Sequence, residues 1–191
     1  GEVITMFVGI LMGLPMVMLP TQLLLVNLVT DGLPAIALGM EPFDKRVMSK
    51  PPRRPDESFF ADGLLGKITF RGLMIGLITL GCFTTILRMG GGVDAARTCA
   101  LLTLVMSQLI HVFECKSENG NIFTVPYFNN IKLILAVFIS CLVIFGAIYV
   151  PALQIVFSTV ALCSEQLWVS LAFSFAVPIV SCFFNREKKS N

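Results

Sequence analysis

Residues 26–42 read VNLVTDGLPAIALGMEP and place the carboxylate of Asp31 inside a long apolar segment. An ionised carboxylate in hydrocarbon is unstable unless a cation or a protic group compensates its charge. Asn27, Thr30 and Asp31 are spaced i, i+3 and i+4, so on an α-helix they share one face. Pro34 has no N–H and clashes with the carbonyl of Thr30, so we expect the helix to break near Asp31. Free carbonyls beside Asn, Thr and Asp oxygens are typical of a site for a hard cation.

The composition indicates a membrane protein. Of the 191 residues, 55% are hydrophobic and only 14% are charged, and the mean hydropathy is +0.84. A soluble domain carries about 25% charged residues. We therefore predict an all-α, polytopic bundle of membrane helices, surrounded by lipid and with no nucleic-acid partner. The six cysteines form no CxxC pair, which favours small apolar residues within helices over disulfides or a thiolate metal site.

Apolar stretches near the ~20 residues that a helix needs to cross a bilayer predict six spans in one membrane domain covering 1–191. The second span is expected to be unwound near Asp31-Gly32-Leu33-Pro34, and the basic, proline-rich segment 41–63 is expected to be a cytoplasmic loop. An apolar run opens the chain without an initiating Met, which indicates a fragment of a longer protein. The predicted spans are 1–19, 21–40, 64–89, 95–114, 131–150 and 166–184.

The basic residues predict the orientation. The loop 41–63 holds five Lys and Arg residues, whereas the connections on the opposite side hold only Arg88 and Arg97. The positive-inside rule then places both ends of the chain in the cytoplasm. Lys67 and Arg71, near the start of the third span, are expected to snorkel toward the interface.

Two acids are placed at membrane depth, Glu2 and Asp31. They belong to adjacent antiparallel spans, so the two carboxylates can meet in one site. Two simpler interpretations stay open. Asp31 can cap the half-helix that follows the break, and Glu2 can lie exposed at the start of the chain.

The residues around these acids resemble a known family. Gly1-Glu2-Val3, Gly13-Leu14-Pro15 and the run from Asn27 to Ala35 are similar to the fifth and sixth transmembrane helices of calcium-transporting P-type ATPases. Pro42, Asp44, Met48 and Lys50-Pro51-Pro52-Arg53 resemble the loop between the sixth and seventh helices of that family. The resemblance covers essentially the whole chain as the C-terminal membrane region, and the short loops and tail suggest a bacterial cell-membrane member.

The resemblance implies a set of calcium ligands. Glu2, Asn27, Thr30 and Asp31 match ion ligands of the family, with Asp31 shared between its two calcium sites. A further family ligand is a carboxylate on the eighth helix, and alignment through Ser117-Glu118-Asn119 puts Gln108 at that position. A neutral amide lowers the ligand charge by one, and calcium affinity depends on that charge. We therefore expect one calcium per cycle rather than two.

The resemblance also implies what the parent supplies. The chain contains no catalytic residue, phosphorylation sequence or nucleotide-binding domain, so ATP and magnesium belong to the parent protein only. The implied partners are the calcium ion, the pump's own N-terminal cytoplasmic domains and its first transmembrane helices. The family returns protons, so His111 and Glu114 are either a proton-transfer pair or a polar cluster at the helix end. The basic run 45–54 is expected to contact anionic lipid or the phosphorylation domain.

Other functions remain open from the residues alone. A related pump could carry manganese, sodium or protons instead of calcium. A secondary transporter with a broken helix at the midplane is a further possibility, as is a non-catalytic membrane subunit. An internal inverted repeat would favour the transporter, and the sequence shows none.

Overall fold

The structure is a computed structural model that describes residues 1–41, 64–115 and 130–187, without the side chains of Asp31, Leu64 and residues 181–187. Every regular element in these residues is helical, which confirms the predicted all-α class. A π-helical segment, Leu28–Gly32, joins α2 to α3. The α-helices are α1 (Glu2–Leu11), α2 (Pro20–Asn27), α3 (Leu33–Gly39), α4 (Leu64–Arg88), α5 (Gly92–Cys115), α6 (Ile131–Tyr149), α7 (Pro151–Phe157) and α8 (Ser164–Glu187).

Four helical stretches are long and apolar enough to cross a membrane: Pro20–Gly39, Leu65–Arg88, Gly92–Cys115 and Ile131–Tyr149. Two shorter apolar helical stretches, Glu2–Leu11 and Ser164–Val180, lie where the first and sixth spans are predicted. The helices are therefore compatible with six crossings, and that number stays a prediction. Residues 42–63, which include the basic run, lie outside the described residues.

The first helix is shorter than the predicted span 1–19, because it ends at Leu11. Gly13 adopts a positive φ of 66°, a conformation that residues with a Cβ adopt only at a cost. The N–H of Leu14 closes this turn by donating to the Gly9 carbonyl over 3.1 Å. The chain then passes inward, burying Val17 and Met18, and a new helix begins at Pro20.

The central packing unit consists of α4, α5 and α8. Its apolar centre includes the fully buried Phe83, Ile86 and Leu102. Small polar residues let α5 and α8 approach closely and bond to each other's backbone, as is common between membrane helices. The Thr103 hydroxyl donates to the Ser170 carbonyl over 3.3 Å, and the Ser174 hydroxyl donates to the Thr103 carbonyl over 3.3 Å.

A polar cluster joins the start of α4 to the end of α5. Arg71 Nη1 lies 2.5 Å from Glu114 Oε2 and 2.6 Å from His111 Nδ1, and His111 Nδ1 lies 3.0 Å from the same Glu114 oxygen. The Glu114 side chain is only 2% exposed and that of Arg71 is 18% exposed. Arg71 therefore pairs with a buried acid instead of snorkelling. His111 and Glu114 thus belong to a polar cluster at the end of α5. Their alternative role as a proton-transfer pair stays a prediction.

We expect Arg71→Met to destabilise the protein, because it leaves the buried Glu114 carboxylate without its guanidinium partner. Removing one member of a buried ion pair costs about 3–5 kcal/mol. The control is Asp94→Asn, which removes the 3.1 Å pair with Arg97 at a carboxylate side chain that is 71% exposed. That change is expected to cost about 0–1 kcal/mol. Thermal unfolding of both variants in detergent measures the difference, and equal stabilities would contradict the role given to Arg71.

Candidate cation site

The second span is predicted to break and unwind near Asp31, but the chain stays helical there and the irregularity is a widened turn. Leu28–Gly32 is π-helical, a pattern in which a carbonyl bonds to the N–H five residues later instead of four. Gly32 departs from helical geometry with ψ of −85°, and α3 resumes at once with Pro34 in its first turn. The missing N–H of Pro34 explains why the regular α-helical ladder cannot pass through this point.

Widening the turn separates side chains that an ideal helix would align. Thr30 is buried at 6% exposure, whereas Asn27, the residue before the π-helical segment, is exposed. The Thr30 hydroxyl donates to the Val26 carbonyl over 2.9 Å. Because its hydrogen is used in this way, the Thr30 oxygen can act toward other groups only as an acceptor. The side chain of Asp31 lies outside the described residues, so its role as a ligand stays a prediction.

The structure brings two other predicted ligands together. Gln108 Nε2 on α5 lies 3.2 Å from Glu2 Oε1 on α1 and donates to it. Gln108 Oε1 is buried, and none of the groups in the described part of the chain donates to it. A buried acceptor without a donor is energetically unfavourable, and a bound cation would satisfy it. The carboxylate of Glu2 and the amide oxygen of Gln108 therefore fit a cation of the kind that oxygen ligands hold.

Glycines on α4 determine where Glu2 lies. A Cβ added at Gly76 would lie 2.8 Å from Ile4 Cγ2 and 3.2 Å from the Gly1 carbonyl oxygen. A Cβ at Gly72 would approach the Gly1 nitrogen to 3.3 Å. Because α4 has no side chains at these two positions, α1 packs directly on its backbone. This close packing holds Glu2 within reach of Gln108.

Helix α5 lies between the two parts of the candidate site. It contacts both α2 and the π-helical segment, and its Gln108 reaches Glu2 on α1. Within the described residues, no group of three His, Cys, Asp or Glu side chains is placed to hold a metal ion. The oxygens available there are mainly amide, hydroxyl and carbonyl groups, which are ligands for hard cations rather than for zinc or copper.

Two residues that support the site were not anticipated. The Ser140 hydroxyl of α6 donates to the Val29 carbonyl of the π-helical segment over 2.8 Å. Asn130 caps α6 by accepting from the Leu133 N–H over 3.0 Å, and its amide donates to the Ala37 carbonyl over 3.0 Å. An Asn directly before an apolar run is a recognisable helix start, whereas the contact made by Ser140 has no local signal.

Comparison with known families identifies the family of the chain. Residues 15–186 match the family described as "Cation transporting ATPase, C-terminus". The chain belongs to this family. The predicted resemblance to the C-terminal membrane region of cation-transporting ATPases is thereby confirmed.

Two relatives of the chain carry the name of calcium-transporting ATPases. The chain is 42% identical over 179 residues to "Calcium-transporting ATPase" of Bacillus subtilis (strain 168), covering 93% of this chain and 20% of that protein. It is 34% identical over 206 aligned positions to "Calcium-transporting ATPase 1" of Bacillus cereus, covering 100% of this chain and 23% of that protein. The chain therefore spans about a fifth of the length of these relatives.

We expect Gly76→Ala to weaken the packing of α1 on α4, because the new methyl group overlaps Ile4 and the Gly1 carbonyl. Adding a methyl group to a tightly packed contact costs about 1–3 kcal/mol. Gly66→Ala on the same helix is the matched control, since a Cβ there meets no atom within 4 Å. Thermal unfolding in detergent should show a loss for Gly76→Ala alone. Equal midpoints for the two variants would argue against the close α1–α4 contact.

Proposed function

We propose that this chain is the ion-binding and translocation part of an ATP-driven calcium pump of the P type. The observation that carries the proposal is the buried oxygen of Gln108, which lacks a donor among the described residues and belongs to the amide beside the Glu2 carboxylate. Family membership supports ATP-driven cation transport, and the similarity to two calcium-transporting ATPases supports calcium over manganese, sodium or protons. The same membership argues against a secondary transporter or a non-catalytic subunit.

The ligands of the proposed site are Glu2, Asn27, Thr30, Asp31 and Gln108. Calcium prefers six to eight oxygens in a flexible arrangement, and these residues offer carboxylate, amide and hydroxyl oxygens from four helical elements, α1, α2, the π-helical segment and α5. In the proposed cycle, protons replace the calcium ion on the carboxylates of Glu2 and Asp31 after its release. Proton countertransport follows from this exchange of a calcium ion for protons at the same oxygens.

The preceding part of the parent would supply the remaining machinery. ATP and magnesium would act there, at a cytoplasmic Asp within an Asp-Lys-Thr-Gly-Thr sequence, and the first transmembrane helices would complete the ion path. Phosphorylation would rearrange α1 and the α2–α3 region, changing access to the ligands from cytoplasmic to external. Both ends of this chain lie in the cytoplasm in this arrangement, and the parent is a multi-pass protein of the cell membrane.

We further propose that the pump carries one calcium per cycle. Gln108 supplies a neutral oxygen where the resemblance implies a carboxylate, so the ligand charge is one unit smaller. In the structure the Gln108 amide also donates a hydrogen bond to Glu2, which an ionised carboxylate at this position could not do. A second divalent ion would meet too little negative charge on these residues to bind tightly.

Asp31→Asn in the full-length protein should abolish calcium-dependent phosphorylation by ATP, since it removes the carboxylate central to the ligand set. The measurement is phosphoenzyme formed from labelled ATP as calcium is varied at low concentrations. Asp94→Asn, a change at the exposed carboxylate near the start of α5, is the control and should behave as wild type. Normal phosphoenzyme in Asp31→Asn at low calcium would refute the ligand role.

Equilibrium calcium binding to the full-length protein should give about one ion per pump, and Gln108→Glu should raise this value toward two. Gln166→Glu is the matched control, because that side chain accepts from the Cys163 N–H at the start of α8 and a carboxylate accepts equally well. It should leave the value near one. A clear stoichiometry of two in the wild type would contradict the role assigned to Gln108.

A further inference from the structure

Pro34 cannot act as the π-helical donor for the carbonyl of Val29. In the π-helical pattern the carbonyl of residue i accepts from the N–H of residue i+5. For Val29 that residue is Pro34, whose ring nitrogen carries no hydrogen. Val29 is only 2% exposed, so water cannot readily replace the missing donor.

Ser140 of α6 supplies this donor. Its hydroxyl lies 2.8 Å from the Val29 carbonyl oxygen, and the residue is fully buried at 0% exposure. Most hydroxyls in the described helices bond back to a carbonyl of their own helix, the usual arrangement for Ser and Thr. Ser140 donates instead to a different element. Examples of the back-bonded arrangement are Thr30, Thr79, Thr84, Thr98 and Ser170.

The same helix also holds the segment that follows the widened turn. Ala37 of α3 packs against Leu133 and Ala136 of α6, and the Asn130 amide donates to the Ala37 carbonyl. Helix α6 therefore contacts the broken helix at two levels, at Val29 within the widened turn and at Ala37 beyond it. Of these contacts, the Ser140 bond is the one that acts on the turn itself.

We propose that Ser140 is a positioning residue for the cation site. Its hydrogen bond to the Val29 carbonyl stabilises the π-helical turn. The proposal rests on the proposed function, because it assigns Ser140 a role toward the ligands Thr30 and Asp31 that follow Val29. Ser140 donates its hydrogen to the backbone and does not touch the ion. Without this bond the Val29 carbonyl has to find another donor, and the turn rearranges to provide one.

The test is equilibrium calcium binding to the full-length pump carrying Ser140→Ala, with Thr79→Val as the control. Thr79 is also fully buried, but its hydroxyl donates to Ile75 within the same helix. We expect Ser140→Ala to raise the dissociation constant for calcium about tenfold, and Thr79→Val to leave it unchanged. Ser140→Cys, similar in size but a weaker donor, should give an intermediate value and keeps the test valid if the alanine variant fails to fold.

A second readout separates positioning from general damage. Phosphorylation of the pump by inorganic phosphate without calcium does not need a filled cation site, so it should stay at wild-type levels in both Ser140 variants. Equal loss of calcium binding and of phosphorylation by phosphate would overturn the proposal, as would a wild-type dissociation constant in Ser140→Ala. A wild-type pump that binds no calcium would instead refute the proposed function, and the role of Ser140 with it.

Discussion

The absent N–H of Pro34 is the constraint on which the arrangement of the candidate site depends. An apolar helix inside a bilayer has no water to satisfy its backbone, so a single missing donor has to be compensated by protein groups. The chain does this with a π-helical turn over Leu28–Gly32 and with a hydroxyl from α6. The Val29 carbonyl and the Ser140 hydroxyl are thereby brought together beside the candidate ligand Thr30.

The position of Glu2, in the second part of the site, depends on glycines, which have no side chain. Gly72 and Gly76 remove side chains from α4, and α1 occupies the space with the first residues of the chain. This brings a carboxylate to the amide of Gln108 without any charge partner on α4. The contrast with Arg71 is informative, because there α4 carries a full positive charge and buries an acid of α5 against it. Helix α4 thus pairs a charge with the acid of α5, and within the described residues no ion pair joins it to Glu2.

The sequence indicates the helical class, the position of the irregular turn and the family, because each follows from local patterns such as the run from Asn27 to Pro34. The pairing of Glu2 with Gln108 could be predicted only through the resemblance. The early end of α1 at Leu11 depends on the conformation of Gly13. The bonds of Arg71 and Ser140 join residues 43 and 111 positions apart in the chain. Such contacts depend on how helices pack together, which the pattern of a single helix does not contain.

The two parts of the site pack on different helices, α4 and α6. Glu2 moves with α1 and therefore with α4, whereas Thr30 belongs to a segment fastened to α6 by Ser140 and Asn130. A shift of α6 relative to α4 would change the distances between the oxygens without distorting either helix. In the proposed pump, loading and release of an ion would then need only a small rigid-body displacement between two packed groups, with each group keeping its internal hydrogen bonds.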